Sequence, residues 1–230
     1  MLQTTCDPIM VIDPASIRPP EFKVNGILYF LEGHFLFRYP DGDGMSSKFV
    51  TVADVMAAIH HVEIDSGWFA AGTVRTGRNA NGLWYVYSPP AQNATIIIDG
   101  ESLLVPLPRT VLLGTGLNYY VWALHSKHFD PGERAYKAPF PNVNDNGSVC
   151  WGSNTPGEAS PGKARQVWEL FFASPFNDHL VNGKSKKCEK DIRSQLRSLA
   201  GTHTYPANDL VPLANGFTIG RVIDSLLEVR

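Results

Sequence analysis

Seventeen prolines and twenty glycines cut the 230 residues into short pieces. Proline removes a backbone donor and fixes φ, while glycine supplies turns, so a chain punctuated this often is built from short elements. The longest apolar runs, residues 27–31 and 119–124, have strand length and fall well short of the roughly 18–20 residues that cross a bilayer. Hydrophobic residues make up 43% and charged residues 18%, enough apolar side chain for a sizeable core, which excludes wholesale disorder. Twenty basic and 22 acidic residues leave a net charge of −2, so there is no excess of Lys and Arg to grip nucleic acid non-specifically. No basic start followed by an apolar core occurs between Met1 and Pro20, so no secretory signal is expected. Cys6, Cys150 and Cys188 are too few and too scattered for a disulfide framework. A reducing cytoplasm with three free thiols is the expected setting, with neither a membrane nor a nucleic acid as partner.

No internal repeat or low-complexity tract is present. Residues 1–22, with Pro8, Pro14, Pro19 and Pro20, read as an extended arm. Residues 26–39, rich in aromatic and β-branched side chains and broken at Gly33, read as a strand or tight hairpin. Asp41-Gly42-Asp43-Gly44 is a turn before a strand at 48–50; it lacks the ligand ladder and distal Glu of a calcium loop. Thr51 and Asp54 form a helix start, and that helix should end near His60 or His61. Adjacent histidines diverge on a helix, and no spaced third ligand is evident, so no metal is expected.

From residue 83 the pattern is strongly β: 83–87, 94–99, 102–105, 109–113 and 117–124, separated by Pro89-Pro90, Asp99-Gly100, Pro106, Pro108 and Gly114-Thr115-Gly116. This spacing predicts an antiparallel meander. Gly114-Thr115-Gly116 is no dinucleotide fingerprint, because the third glycine and the following helix are absent. Between His125 and Pro161 comes a long irregular stretch, a type of segment that is usually functional. Ser160-Pro161 then opens a helix, with serine at the cap and proline at the first helical position. Val167, Leu170 and Phe171 give it one apolar face, and Pro175 stops it. Further helices are expected over 188–199, with Ile192, Leu196 and Leu199 on one stripe, and over 219–227.

Cys150 separates this chain from an anonymous α+β domain. An isolated cysteine is by default a small buried hydrophobe, a reading that suits Cys6 or Cys188. Cys150 instead follows a tight-turn signal, Asn146-Gly147, in polar chain. A hydrolytic thiol needs a base, a cation or a helix N-terminus to lower its pKa. Between Lys137 and Lys163 there is no Lys, Arg or His; only Asp145 and Glu158 are charged. His125, His128, His179 and His203 are the histidines that folding could bring in. The local chemistry suits a thiol that accepts an acyl group by exchange and passes it on.

The run Phe140-Pro141-Asn142, then Val-Asn-Asp-Asn-Gly-Ser-Val-Cys150, resembles the active-site stretch of ubiquitin-conjugating enzymes. In that family a His-Pro-Asn tripeptide and a turn precede the catalytic cysteine, and the eight-residue step from Asn142 to Cys150 matches. Ser160-Pro161 opening a helix and 175–180 closing it extend the likeness, which covers roughly residues 83–200. Phe140 stands where the family has histidine, so packing must do that residue's structural work. Trp151 replaces a small aliphatic residue, and more chain precedes the motif than in a minimal member. These departures are similar to the bacterial branch of the family, in particular the B-protein family of ParB-related, ThiF-related cassettes (PRTRC) on plasmids and other mobile elements. Trp68, Ser88-Pro89-Pro90 and 121–125 fit that subgroup.

The resemblance implies an α+β ubiquitin-conjugating fold, an antiparallel meander with flanking helices, over 81–230. Residues 1–80 would be an N-terminal elaboration with short strands and one helix, able to carry partner specificity. It implies that Cys150 takes the C-terminal glycine of a ubiquitin-like protein from a ThiF-like activating enzyme as a thioester, and yields it to an amine without a cofactor. Asn142 would either donate its amide to the oxyanion, a contribution worth about 2.7–4 kcal/mol of barrier, or hold the loop in shape. Asp145 would either assist the incoming amine or simply bond its own turn. Phe140, Pro141, Gly147 and Trp151 would shape the loop. Two other readings stay open: a binding module on the same fold that transfers nothing, and a cysteine hydrolase with a distant histidine.

Overall fold

In a computed structural model, residues 25–32, 34–60, 67–79, 81–214 and 216–228 are described. Ten strands run along them: β1 (Ile27–Leu31), β2 (His34–Asp41), β3 (Gly44–Val50), β4 (Thr73–Asn79), β5 (Gly82–Tyr87), β6 (Asn93–Ile98), β7 (Glu101–Pro106), β8 (Arg109–Thr115), β9 (Asn118–Leu124) and β10 (Tyr136–Lys137). Four α-helices accompany them: α1 (Val52–His60), α2 (Ala164–Ala173), α3 (Ile192–Ser198) and α4 (Ile219–Leu227). None of the described helices is long and apolar enough to cross a membrane. The expected arm over 1–22 lies outside the described residues, as does His61.

The chain divides into two compact units, residues 1–66 and 67–230. In the first, β1, β2 and β3 form an antiparallel sheet in that order, with Leu36 opposite both Tyr29 and Phe49. The start of α1 is a reciprocal cap. Thr51 Oγ1 accepts the Asp54 N–H at 3.1 Å, and Asp54 Oδ2 accepts the Thr51 N–H at 2.8 Å. The Thr51 N–H, and the Thr51 hydroxyl donating to the same oxygen at 2.7 Å, hold the Asp54 carboxyl below its usual pKa.

The second unit is built on a five-stranded antiparallel sheet in the order β10-β9-β8-β5-β4. The sequence divides the chain at residues 80–81, between β4 and β5; these two strands are paired here, and the division by contacts falls ahead of both. All five strands expected between 83 and 124 form, and all pair antiparallel. Their order is not one continuous meander. β5 pairs with β8, and β6 and β7 make a separate two-stranded hairpin. The Asp99-Gly100 turn joins that hairpin with φ of +50° and +84°, the mirror-image turn that matches strand twist.

Alternation along the central strands buries both faces of the sheet. Tyr85, Tyr87, Leu112, Tyr119 and Val121 join Ile96, Ile98 and Val105 of the hairpin and Val167, Trp168, Phe171 and Phe172 of α2. Trp84, Val86, Val111, Leu113 and Trp122 point the other way, into Ile219, Val222, Ile223 and Leu227 of α4. A two-residue side-chain period explains this split. It also explains why β5 is apolar throughout, where a sheet with one wet face would alternate with polar residues.

Ser160 and Pro161 do begin a helical segment, but through a 3-10 turn at Pro161–Lys163 before α2, and the Ser160 hydroxyl makes no capping bond. The N-cap of α3 is Asp191, which accepts the Arg193 N–H at 2.9 Å. Arg193 and Arg197 then reach the hairpin turn, pairing with Asp99 at 3.1 and 2.7 Å. Arg197 holds the Asp99 carboxyl, and Arg193 the Asp191 carboxyl, below the usual carboxylate range. What these groups add to stability is present above the ordinary carboxylate pKa and is lost as pH falls below it. Asp191→Ala should cost about 0.5–2 kcal/mol as a lost helix cap, read as a lower urea midpoint with an unchanged slope; an unaltered midpoint would refute the cap.

Candidate active site

The site begins where the backbone leaves β10 and enters the core. Phe140 is fully buried, its ring edge-on to Phe171 and Phe172 at 5.7 and 5.4 Å and stacked on Phe176 at 6.2 Å. Pro141 is buried beside it. Asn142 then turns the chain with φ +62°, a left-handed conformation that asparagine tolerates better than most residues. Its side-chain amide donates to Pro175 O at 3.3 Å, and its carbonyl accepts the Cys150 N–H at 2.7 Å. The structure thus brings Phe140, Pro141, Asn142 and Cys150 together. It directs the Asn142 amide to the loop after α2.

Between Asn142 and Cys150 the chain forms a closed arch. Val143 bridges Val149. The Asn144 N–H donates to Ser148 O at 2.8 Å, its amide donates to Ser148 Oγ at 2.9 Å, and Gly147 N–H donates to Asn144 O at 2.9 Å. The returning arm pairs with the edge of β9: Val121 N–H donates to Gly147 O at 2.8 Å, and Val149 N–H to Tyr119 O at 2.9 Å. Gly147 has φ +96°, and a Cβ there would lie 2.3 Å from Trp122 Nε1. The same indole N–H donates to Asn146 O at 3.2 Å, so the arch rests on a buried ring of the sheet.

Cys150 emerges from this ladder as a half-buried free thiol. Among the described residues no imidazole is hydrogen-bonded to its sulfur. His125, His128, His179 and His203 are all exposed. Trp151 stands edge-on to Tyr119 at 5.5 Å and to Phe171 at 6.1 Å, in the position of a loop anchor. Asp145 is 73% exposed on the arch, and its carboxylate meets Lys137 Nζ of β10 at 2.8 Å.

One residue of the site was invisible in the sequence. Lys184 is 2% exposed, and its Nζ donates to Phe140 O at 2.7 Å and also to Val143 O. Burial pushes its ammonium down to about 7; Asp145 opposes that shift and Lys137 adds to it. In sequence Lys184 opens Lys-Ser-Lys-Lys, a run that reads as a solvated face. Nothing local marks one of these lysines as buried. Among the described residues no cluster of His, Cys, Asp and Glu could hold a metal.

Compared with known families, residues 48–213 match prokaryotic E2 family D. No curated protein and no solved structure matches the chain. The matched span includes the arch, α2 and α3, and ends ahead of α4.

Two substitutions test the construction of the arch. Gly147→Ala adds a Cβ into the Trp122 ring at a left-handed φ and should destabilise by about 1–3 kcal/mol, with near-ultraviolet dichroism showing Trp122 displaced. Phe140→His, which restores the residue the resemblance leads one to expect, places a polar ring in a dry aromatic cluster and should lower the thermal midpoint. A midpoint equal to that of the unaltered chain would show that Phe140 is not the anchor.

Proposed function

We propose, from the premise that this chain belongs to prokaryotic E2 family D, that Cys150 carries a ubiquitin-like protein as a thioester and passes it to an amine. An E2-like role in ubiquitin-like conjugation follows from the family in general; the assignment to Cys150 and the order of transfer are our reading. The activating enzyme is of the ThiF-like adenylating class. The Cys150 sulfur attacks the carbonyl of the ubiquitin-like C-terminal glycine on that enzyme. A new S–C bond forms and the activating enzyme's own S–C bond breaks, releasing its thiol. An amine then attacks the same carbonyl; an N–C bond forms, the S–C bond to Cys150 breaks, and the amine's proton passes to solvent.

The observation that carries this reading is a half-buried thiol, fixed through its backbone to Asn142, with no imidazole hydrogen-bonded to its sulfur among the described residues. A hydrolase needs a base within about 2.6–3.2 Å of the nucleophile, or slightly farther without substrate. A carrier gains from lacking one, because a base beside the thioester would also activate water. Asn142 supports the arch through Pro175 O. Release of that bond would free its amide for the oxyanion at the moment of transfer. Asp145, exposed on the arch and paired with Lys137, would relay the amine's proton to solvent. The finer likeness to the B protein of PRTRC cassettes rests on Trp68, Ser88-Pro89-Pro90 and 121–125, and a cytoplasmic setting goes with it. Adjacent genes for a ThiF-like enzyme and a ubiquitin-like protein would support that subgroup.

Incubation with the activating enzyme, ATP and the ubiquitin-like protein should give an adduct that reductant cleaves. Cys150→Ser should give a reductant-resistant oxyester, and Cys150→Ala no adduct. If wild-type protein never forms the adduct while binding the ubiquitin-like protein equally well as Cys150→Ala, the chain is a binding module instead.

A further inference from the structure

Lys184 is a fully buried cation that the transfer chemistry does not use. Its ammonium lies beneath the arch, and its two acceptors, Phe140 O and Val143 O, bracket Asn142 on either side. Asn142 holds the left-handed turn, and its carbonyl receives the Cys150 N–H. Phe140 has no polar side-chain atom with which to brace this turn. We propose that Lys184 is the positioning residue of the site: by fastening the two carbonyls around Asn142 it fixes the seat from which Cys150 projects. The inference rests on the function proposed above only in calling that turn catalytic.

The physics favours this role over generic packing. An ammonium taken out of water is costly unless polar atoms surround it, and an apolar side chain of similar length would fill the space more cheaply. What the charge adds is direction: two charge-assisted bonds to chosen carbonyls, roughly twice as strong as bonds from a neutral donor. The charged groups that face it are Asp145 on the arch and Lys137 on β10, and these two are paired with each other. Asp145 favours the ammonium and Lys137 disfavours it, while burial sets its titration at about 7. Burial holds the nitrogen's affinity for a proton below that of a lysine in water, so protonation favours any opening that wets it. The neutral amine keeps two N–H donors for the two carbonyls. The turn is therefore loosest on the acid side and tightens as pH rises through neutrality.

Hydrogen–deuterium exchange of the full chain, resolved at the Cys150 amide and corrected for intrinsic rate, tests this without any partner protein. In wild type, protection of that amide should rise about tenfold between about pH 6 and pH 8.5, as the penalty of the buried ammonium is relieved. Lys184→Met keeps the length and removes charge and donors; its Cys150 amide should be about tenfold less protected than wild type at about pH 8.5 and show no inflection. Lys137→Met removes the repelling cation and frees Asp145, so its inflection should move to higher pH. Amides of β5 report whether each variant remains folded. If Lys184→Met does not fold, the wild-type and Lys137→Met profiles decide. A flat wild-type profile, a Lys184→Met amide as protected as wild type, or an inflection unmoved by Lys137→Met overturns the assignment. A chain that shows these profiles yet never forms a thioester keeps the positioning role and loses only the proposed activity.

Discussion

The ring of Phe140 is the point at which the hydrophobic core and the Cys150 loop are tied together. It sits among Phe171 and Phe172 of α2 and Phe176 beyond it, fully removed from water. Burying such a ring contributes about 1.5–3 kcal/mol, and each favourable aromatic pair adds about 0.5–1.5 kcal/mol. That anchorage fixes where the chain enters the arch. The left-handed turn at Asn142, its bond to Cys150 N–H, and the ladder to β9 then fix where it leaves. The sulfur's position is thus set by one buried ring, a short series of backbone bonds and the two bonds from Lys184, and among the described residues no polar side chain bonds the thiol itself.

The position of α2 matters for the same reason, and it is set from two sides. Its inner face packs on the sheet through Val167, Trp168, Phe171 and Phe172, and the β6–β7 hairpin closes over it with Ile96 and Ile98. The hairpin is in turn tied to α3 by Asp99, Arg193 and Arg197. These pairs are partly exposed and individually weak, but they share charges in one network with Asp191. At the end of α2, Ser174 Oγ accepts from the Asn154 amide at 2.7 Å, and Pro175 O accepts from Asn142. The helix terminus therefore touches the loop on both sides of Cys150.

Much of this was legible in the sequence because it is local. The strands between 83 and 124, the reciprocal cap of Thr51 and Asp54, the Asp99-Gly100 turn and the apolar stripe of α3 are each encoded within a few residues. Sheet order was not, because nothing in 93–106 says that those two strands pair only with each other and leave β5 to meet β8. The candidate site divides the same way. Phe140, Asn142, Gly147 and Cys150 stand out by spacing and by the resemblance they support. Lys184 is hidden, because burial of a lysine far along the chain is a tertiary fact that composition cannot carry. The absence of any basic residue between Lys137 and Lys163 described the segment correctly, yet folding brings Lys137 and Lys184 to its edges.

That arrangement bears on the chemistry. Two cations at the arch are already engaged, Lys137 with Asp145 and Lys184 with backbone carbonyls. Neither is hydrogen-bonded to the cysteine sulfur among the described residues. A site meant to hydrolyse would place such charge, or an imidazole, on the sulfur, since thiolate formation and attack on water-accessible carbonyls both gain from it. Here charge and hydrogen bonding are invested in the geometry of the backbone that carries the sulfur. Acyl exchange between thiols begins and ends with a thioester, so it asks little thermodynamic driving force of the acceptor. What it requires is that the sulfur be reachable by a large partner and held in one orientation. An arch held by backbone hydrogen bonds and a half-buried thiol with no imidazole bonded to it among the described residues are what the proposed exchange asks for, and the lack of such a base would also leave water unactivated.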